Sequence, residues 1–215
     1  ERNLKKSAGI IAISDADATY FKQQYPNTPI STVYGFHAYD EVKIETGIGD
    51  YALYHGNLSV SENHTAAMFL IENVFSKLDY PFIISGKHPD QELKNAVDKH
   101  AHIQIIRNPD IEEMGQLISQ AHIHVMPTFQ PTGIKLKLLN ALFSGRHVIV
   151  NEDMLSGTDL HSVVNICLNG EEMIEKISSL KDQAFTEEML QARKIKLEQS
   201  FTNEINAKKL VELLF

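Results

Sequence analysis

Residues 122–145 read HIHVMPTFQPTGIKLKLLNALFSG, and this stretch decides the fold. It contains a short β-run, a loop rich in Pro, Thr and Gly, and a helical segment with two lysines in its first turns. Free backbone N–H groups and the positive dipole end at a helix start attract anions, and lysines there add full charge. The sequence therefore predicts a phosphate site between the β-run and the helix.

The acidic residues of the chain avoid the same region. The sequence has 28 Asp and Glu residues and a formal net charge of -8, yet none of the acids lies between residues 114 and 151. A carboxylate beside a bound phosphate would repel it. We therefore expect a cationic pocket without a carboxylate around Lys135 and Lys137.

The overall composition narrows the class of protein. Hydrophobic residues make up 43% and charged residues 22% of the chain, as in ordinary soluble domains. The acidic balance argues against a nucleic-acid partner, which would demand a broad basic face. The single Cys167 cannot form an internal disulfide, which favours a reducing, cytoplasmic setting, and it reads as a small core residue. No apolar run approaches the ~20 residues of a membrane helix.

Short β-branched runs alternate with helical patterns along the whole chain. This alternation predicts an α/β protein with a doubly wound, Rossmann-like parallel sheet flanked by helices. The six main strands are expected at residues 51–55, 82–85, 103–106, 122–126, 147–150 and 164–168. Helices are expected at residues 64–77, 91–100, 111–120, 135–143 and 171–180, then from Thr186 onward and over 203–214.

The first part of the chain is too short for a domain of its own. It supplies two short β-runs at residues 9–13 and 30–34, one helix near 17–24, and a polar, glycine-bounded stretch over 35–49. We interpret residues 1–48 as the remnant of a larger neighbouring domain with its linker, residues 49–200 as the Rossmann-like domain and residues 201–215 as a C-terminal helix.

Polar or glycine-containing loops follow four of the predicted strands. Because ligands of doubly wound sheets bind beyond the carboxyl ends of the strands, these loops should converge on one crevice. No GxGxxG pattern is present, so a dinucleotide fingerprint is not supported. The candidate ligand-binding residues in the first three loops are Gly56, Asn57, Gly86, Lys87, Arg107 and Asn108.

Each of these candidates also has a purely structural interpretation. Gly56 and Gly86 let the backbone approach a ligand without a Cβ in the way, but a plain turn after a strand uses glycine as well. Lys87 either neutralises a phosphate or is simply solvated. Arg107-Asn108 fits a contact to a base or ribose, or a turn before the next helix. The sequence leaves these alternatives open.

The fourth loop leads into the segment with the two lysines. Lys135 and Lys137 lie two residues apart, so on a regular helix they do not share one face. They either form the phosphate site or are solvated lysines that flank buried leucines. Asn140 lies one turn past Lys137 in an apolar stretch, and a buried amide needs a partner such as a ribose hydroxyl.

The ten histidines show no metal-ligand spacing. His122 and His124 alternate on one strand and should point the same way, and His100 and His102 lie at a helix end, without the usual carboxylate or Cys set. We therefore expect packed or surface histidines and no metal site. Walker, GxSxG and HExxH patterns are missing from the sequence as well.

The segment from residue 51 to about residue 180 resembles the donor-binding C-terminal domain of glycosyltransferases with two facing Rossmann-like domains, the GT-B fold, in the glycosyl transferases group 1 superfamily. YALYHGNLSVSEN resembles its opening strand and loop, FIISGK its second strand, and IEEMGQLISQAHIHVMPT the helix and strand that follow. Most specific is GIKLKLLNALFSGRHVIV, which is similar to the pattern G-x-[RK]-x-K-x-x-E-x-x-x-x-G-x-P-V-V.

The resemblance implies roles for individual residues. Lys135 and Lys137 match basic positions at the donor diphosphate, where they would act in catalysis. Gly133, with its neighbours Thr132 and Ile134, matches the loop that approaches the diphosphate and the sugar. By the same resemblance, Asn140 matches a ribose-binding position, Gly56-Asn57 a loop that faces the cleft, and Arg107-Asn108 the region near the base.

The chain departs from the family pattern in two respects. Gln130 and Asn140 stand where the family has paired glutamates, and an amide accepts a weaker hydrogen bond than a carboxylate, by roughly a factor of two. His147 replaces the small or proline residue that usually precedes VIV.

The resemblance implies a glycosyltransferase, of a type that transfers a hexosyl group in polysaccharide biosynthesis. The donor would be a UDP- or GDP-sugar, no metal or other cofactor would be needed, and this chain would be the donor-binding portion. The acceptor domain would be largely missing, and any peripheral membrane association would be made through it. Two alternatives stay open: a non-catalytic GT-B-like scaffold, and a nucleotide-sugar epimerase, which would need its own carboxylates in the cleft.

Overall fold

The structure, a computed structural model, describes residue 4, residues 7–130 and residues 134–215. The strands in these residues are β1 (Ile10–Ala12), β2 (Ile30–Thr32), β3 (Ala52–Asn57), β4 (Phe82–Lys87), β5 (Ile103–Arg107), β6 (Ile123–Met126), β7 (His147–Val150) and β8 (Asn165–Ile166). The helices are α1 (Asp15–Gln24), α2 (Ser61–Leu70), α3 (Gln91–Val97), α4 (Ile111–Gln120), α5 (Leu136–Ser144), α6 (Gly170–Leu180), α7 (Glu187–Glu198) and α8 (Asn203–Leu214).

The main sheet confirms the predicted doubly wound fold. Its described strands run parallel in the order β5-β4-β3-β6-β7-β8. The chain builds outward from β3 to β5 and then crosses to the other side of β3, which places the topological switch point between β3 and β6. These two strands pair only at Ala52↔Ile123 and Leu53↔His124. Beyond those pairs they diverge, and a crevice opens at their carboxyl ends.

The central strands are apolar because both faces of the sheet are covered. Every residue of β6 and β7 is buried, as expected for parallel strands packed between two helical layers. One face packs against α2, α3 and α6, where Phe75 and Phe82 stack at a centroid distance of 3.8 Å. The other face packs against α5 and the residues before β3.

Helix α2 differs from its prediction at both ends. It begins at Ser61, three residues before the predicted start, and continues as a π-helix over Ile71–Phe75. The cap residue Val60 offers no side-chain hydrogen bond, so the sequence carries no start signal there. The earlier start places Glu62 in the first turn of the helix, at the edge of the crevice.

The N-terminal residues pack against the C-terminal helix. Strands β1 and β2 form a separate parallel pair, followed by residues 33–49 on the surface of the main domain. The Tyr34 backbone N–H donates to Asn206 Oδ1 at 3.0 Å, and the Tyr34 ring stacks on Phe201 at a centroid distance of 4.5 Å. Val42 and Ile44 are buried in the core beside α5. None of the helices in the described residues is both long and apolar enough to cross a membrane.

Candidate functional site

A cavity of ≈ 920 Å³ opens at the carboxyl ends of β3 and β4, beside the point where β3 and β6 diverge. Its size lies in the range of small-molecule binding sites, and its position is the one that doubly wound sheets use for ligands. The start of α4 forms one wall, which includes Asp110 and Glu112. The sequence-predicted candidates that line the cavity are Gly56, Asn57, Gly86, Lys87, Lys137 and Asn140.

The two glycines occupy paired positions on β3 and β4, and Gly86 is required by packing. A Cβ at Gly86 would lie 1.7 Å from the Gly56 carbonyl oxygen, and a Cβ at Gly56 would lie 3.1 Å from the Asn63 side-chain amide carbon. The close approach of the two strands therefore explains Gly86 without a ligand. It also leaves the cavity floor without side chains at this point.

Lys137 is the half-buried cation of the cavity, whereas Lys87, which also lines it, is exposed. Its Nζ donates to Asn63 Oδ1 at 2.7 Å and to the Tyr54 hydroxyl at 3.1 Å, and lies 5.0 Å from the Tyr54 ring centroid. Burial lowers the pKa of the Lys137 ammonium to about 8, although the charge of Glu62 opposes this shift. Among the described residues its direct partners are thus neutral, and Lys137 keeps a positive charge that no carboxylate contacts.

Lys135 has a different environment. Its Nζ forms an ion pair with Glu62 Oε1 at 3.2 Å, and the Thr128 hydroxyl donates a short hydrogen bond to the same carboxylate. Burial alone would raise the pKa of Glu62, but the hydrogen bonds from Thr128 and Lys135 and the charges of Lys135 and Lys137 lower it. The expectation of a pocket without a carboxylate was therefore wrong, because Glu62 reaches it from α2, outside the acid-free stretch.

The two lysines meet the same turn of α2, although helical spacing had predicted different directions. Lys135 lies before the helix with an extended backbone (φ -88°, ψ 100°), so helical spacing does not govern its side chain. It contacts Glu62, while Lys137 contacts the adjacent Asn63. The first turn of α2 is therefore part of the site.

Asn140 lines the cavity one helical turn from Lys137. Its side chain is half-buried and forms no hydrogen bond with another residue in the described part of the chain. An amide with free donor and acceptor groups beside a cavity suits a ligand hydroxyl.

Arg107 and Asn108 lie elsewhere, and the structure does not bring them to the cavity. They end β5, the edge strand, and Arg107 lines a separate groove with Gln91 and Lys94. Asn108 adopts a positive φ of 51°, and its Oδ1 accepts a hydrogen bond from the His88 backbone N–H at 2.9 Å. The turn-forming alternative accounts for this pair. The residues that follow this pair, from Pro109 onward, do line the cavity.

The remaining candidates of the fourth loop are only partly described. Ile134 is half-buried and packs against the core around α5 rather than the cavity. Gln130 is exposed, and its backbone N–H donates to the Thr128 hydroxyl at 3.4 Å. Thr132 and Gly133 lie outside the described residues.

Sequence reasoning missed His55, which lines the cavity directly before Gly56. The side chain is 4% exposed, and neither ring nitrogen has a hydrogen-bond partner among the described residues. Burial, and then the charge of Lys137, lowers the pKa of His55 to about 4, so its imidazole is neutral at pH 7. The signal in the sequence was a polar ring in an otherwise apolar strand.

The histidines singled out by sequence are packed. His122 is buried, and its ring hydrogen-bonds to the Leu180 carbonyl at 2.8 Å. One group in the described residues has a ligand-like arrangement outside the cavity: His64, Asp90 and Glu92. Its two carboxylates are exposed, and His64 Nε2 contacts Asp90 Oδ2 at 3.0 Å.

A family profile described as glycosyl transferases group 1 matches residues 49–183 of this chain. The matched region contains every strand of the main sheet and the cavity at its carboxyl edge. No curated protein matches the sequence.

Several solved structures share the fold at low sequence identity. A variant of TarM from S. aureus, in complex with α-GlcNAc-glycerol and UDP, is 15% identical with a TM-score of 0.72, over 98% of this chain and 44% of TarM. Sucrose-phosphate synthase from Thermosynechococcus elongatus is 11% identical with a TM-score of 0.73, over 98% and 58%. HepE from Anabaena, in complex with UDP and glucose, is 12% identical with a TM-score of 0.69, over 97% and 63%. This chain therefore spans less than two thirds of each of these proteins.

Proposed function

The chain belongs to the glycosyl transferases group 1 family, and on that premise we propose that its cavity binds the nucleotide-diphospho-sugar donor of a sugar transfer. The observation that carries the proposal is Lys137, a half-buried lysine whose ammonium contacts no carboxylate among the described residues, at the start of α5 and at the topological switch point of the sheet. An anionic group is the ligand that such a position favours. UDP in the TarM and HepE structures supports a uridine or related nucleotide here.

In this proposal the sugar transfer needs charge stabilisation at the leaving diphosphate. The bond between the anomeric carbon and the diphosphate oxygen breaks, and its electron pair stays on that oxygen. The acceptor hydroxyl oxygen forms the new bond to the anomeric carbon, and its proton passes to the leaving diphosphate or to water. Lys137 stabilises the charge that develops on the leaving diphosphate, which is the role of a preorganised cation in a site of low polarity. Asn140 binds a donor hydroxyl.

The acceptor side of the reaction belongs, in this proposal, to a second domain. In two-domain glycosyltransferases of this shape the cleft lies between the domains, and this chain spans less than half of TarM. We propose that a hexosyl group is the transferred sugar and that the donor is UDP- or GDP-linked. The isolated chain should then bind the donor nucleotide without turning it over.

Calorimetric titration of the chain with UDP, GDP and their glucose derivatives tests donor binding. We expect binding of at least one nucleotide, and a loss of affinity of about tenfold or more in Lys137→Ala, because a hydrogen bond to a charged group contributes roughly 1.5–3 kcal/mol. Lys99→Ala, an exposed lysine away from the cavity, is the matched control. The proposal fails if no nucleotide binds, or if the Lys137 and Lys99 variants bind equally.

A scaffold that keeps the fold without binding a donor is the second candidate function. The observation that favours it is the Glu62–Lys135 ion pair, together with Gln130 and Asn140 at positions where the family has glutamates. An epimerase is less well supported, because of the two described carboxylates that line the cavity Asp110 caps α4, accepting from the Glu113 N–H at 2.8 Å, which leaves Glu112 without a second carboxylate for an acid/base pair. The calorimetric titration also distinguishes the scaffold from the transferase and the epimerase, since only the scaffold would bind none of the nucleotides.

A further inference from the structure

A second cavity lies at the opposite end of the sheet from the proposed donor site. Its volume is ≈ 310 Å³, and it is bounded by the start of β7, the segment before β8, and helices α6 and α7. Its polar lining includes His147, Lys176 and Arg193, and Phe185 and Met189 contribute apolar surface. None of its lining residues is an Asp or Glu, in a chain with a net charge of -8.

Arg193 lines this cavity as a buried charge with few partners. The residue is 4% exposed, and its Nη1 donates to the Gly145 carbonyl oxygen at 2.6 Å. The guanidinium lies 4.6 Å from the Phe185 ring centroid. In the part of the chain that the structure describes it makes no other hydrogen bond and no ion pair. A guanidinium has five N–H donors, and buried charges in proteins are normally paired.

Arg146 provides an internal comparison, because it is buried to the same degree at 5% exposure. Its Nη1 donates to the carbonyl oxygens of Ser119, Gln120 and Ala121 at 2.7, 3.1 and 3.2 Å, and its Nη2 forms an ion pair with Glu45 at 3.1 Å. The chain thus supplies Arg146 with a carboxylate and three carbonyls. Among the described residues Arg193 has one carbonyl partner, and it lines the cavity.

The surroundings of Arg193 are electropositive. Lys176 lines the same cavity, is half-buried and forms no ion pair with another described residue. Burial lowers the pKa of His147 to about 4, and the positive charges of Arg193 and Arg146 act in the same direction. The region therefore favours an anion from solution over a further proton.

We propose that this cavity binds a small organic anion, whose carboxylate or phosphate group pairs with Arg193 and whose apolar part packs on Phe185 and Met189. The planar guanidinium fork matches both kinds of oxyanion in a bidentate manner. Lys176 adds a second charge at the wall. The site is separate from the donor cavity and does not depend on sugar transfer.

NMR titration of the chain with three probes tests this inference: inorganic phosphate, acetate and hexanoate. We expect saturable shifts of backbone amides in residues 162–165 and 179–183, and tighter binding of hexanoate than of acetate because of the apolar wall. Binding of phosphate alone would assign the site to phosphate groups, and binding of hexanoate to carboxylates. If none of the three probes gives saturable shifts in these residues, the inference is overturned.

Three variants locate the binding site. Arg193→Met keeps an unbranched, flexible side chain that replaces the aliphatic part of arginine without its charge, and should weaken binding by about thirtyfold or more, as loss of a buried charge partner does. If this variant does not fold, Lys176→Gln should still weaken binding, and Ala192→Leu, at an exposed position of the cavity wall, should block it with both charges intact. Lys99→Gln is the control for a change of net charge. Equal binding by the folded cavity variants and the control would contradict the proposal.

Discussion

Lys137 is the residue on which the proposed donor site depends, and its low pKa should make donor binding dependent on pH. The free ammonium has a pKa of about 8, and a bound diphosphate would raise it by favouring the charged form. The protonated form binds the anion, so affinity for UDP should fall as the pH rises from 7 to 9, and binding at pH 8 should take up part of a proton. Calorimetry in two buffers of different ionisation enthalpy measures this uptake. Lys137→Ala should abolish the pH dependence, and an unchanged profile in that variant would contradict the assignment.

Glu62 should act against donor binding, because its carboxylate already forms an ion pair with Lys135 and accepts a hydrogen bond from Thr128. Glu62→Gln removes the negative charge and keeps the shape, so we expect affinity for UDP to rise by about threefold to tenfold, the size of a partly buried ion-pair effect. Glu72→Gln changes the net charge equally at an exposed position of the following π-helix and serves as the control. A rise in both variants would indicate only the overall charge, and a fall in the Glu62 variant would mean that the carboxylate binds the donor.

These residues also show what the sequence could reveal about the site. Lys137 and Asn140 were predictable, because a helix start after a β-run fixes their place at the switch point. The contact between Glu62 and Lys135 could not be predicted from the acid-free stretch. That stretch concerns only residues close in sequence, whereas Glu62 belongs to another helix. Arg107 was predicted to face the crevice, but it ends the edge strand β5 and lines a separate groove, while the residues from Pro109 onward line the cavity.

At the scale of elements, the contact between β3 and β4 is the most sensitive to substitution. A Cβ at Gly86 would lie 1.7 Å from the Gly56 carbonyl oxygen, so Gly86→Ala must push the strands apart. We expect a loss of about 1–3 kcal/mol in the free energy of unfolding, measured by urea denaturation. Gly115→Ala, within α4 and with nothing near its Cβ, should instead stabilise by up to about 1 kcal/mol. If both substitutions change the free energy of unfolding equally, β3 and β4 are packed less closely than the 1.7 Å distance indicates.

Most elements were predictable because buried parallel strands and amphipathic helices leave strong periodic patterns. The prediction of α4 matches its bounds at Ile111–Gln120, where Asp110 supplies a clear capping side chain. Helix α2 was predicted too short at its start and as one regular helix, because Val60 gives no capping signal and π-turns have no sequence pattern. Strand β8 is only two residues long, which an apolar run over 164–168 could not indicate.

At the scale of the whole molecule, buried histidines should make the fold sensitive to acid. Burial lowers the pKa of His55 and His147 to about 4, below the usual 6.5, and also lowers the pKa of His122 and His124. The unfolded chain therefore binds more protons between pH 6.5 and 4, so stability should fall as the pH drops through this range. Each fully shifted histidine contributes at most about 3 kcal/mol.

Urea denaturation at pH 7, 5.5 and 4.5 measures this loss. In His147→Phe the fall between pH 7 and 4.5 should be smaller than in the native chain, whatever the change in stability at pH 7. His88→Asn, which removes an exposed histidine side chain, is the control. An unaltered slope in the His147 variant would mean that its ring is protonated in the folded state.

Helix α5 is linked to both cavities, one near each of its ends. Its nine residues span roughly 14 Å along the axis, from Lys137 in the first turn to the carbonyl of Gly145 that accepts from Arg193. Six of these residues are buried, so close packing holds the helix between the sheet and its neighbours. The same buried helix thus carries a lysine of the first cavity at its start and the carbonyl partner of the Arg193 guanidinium just past its end.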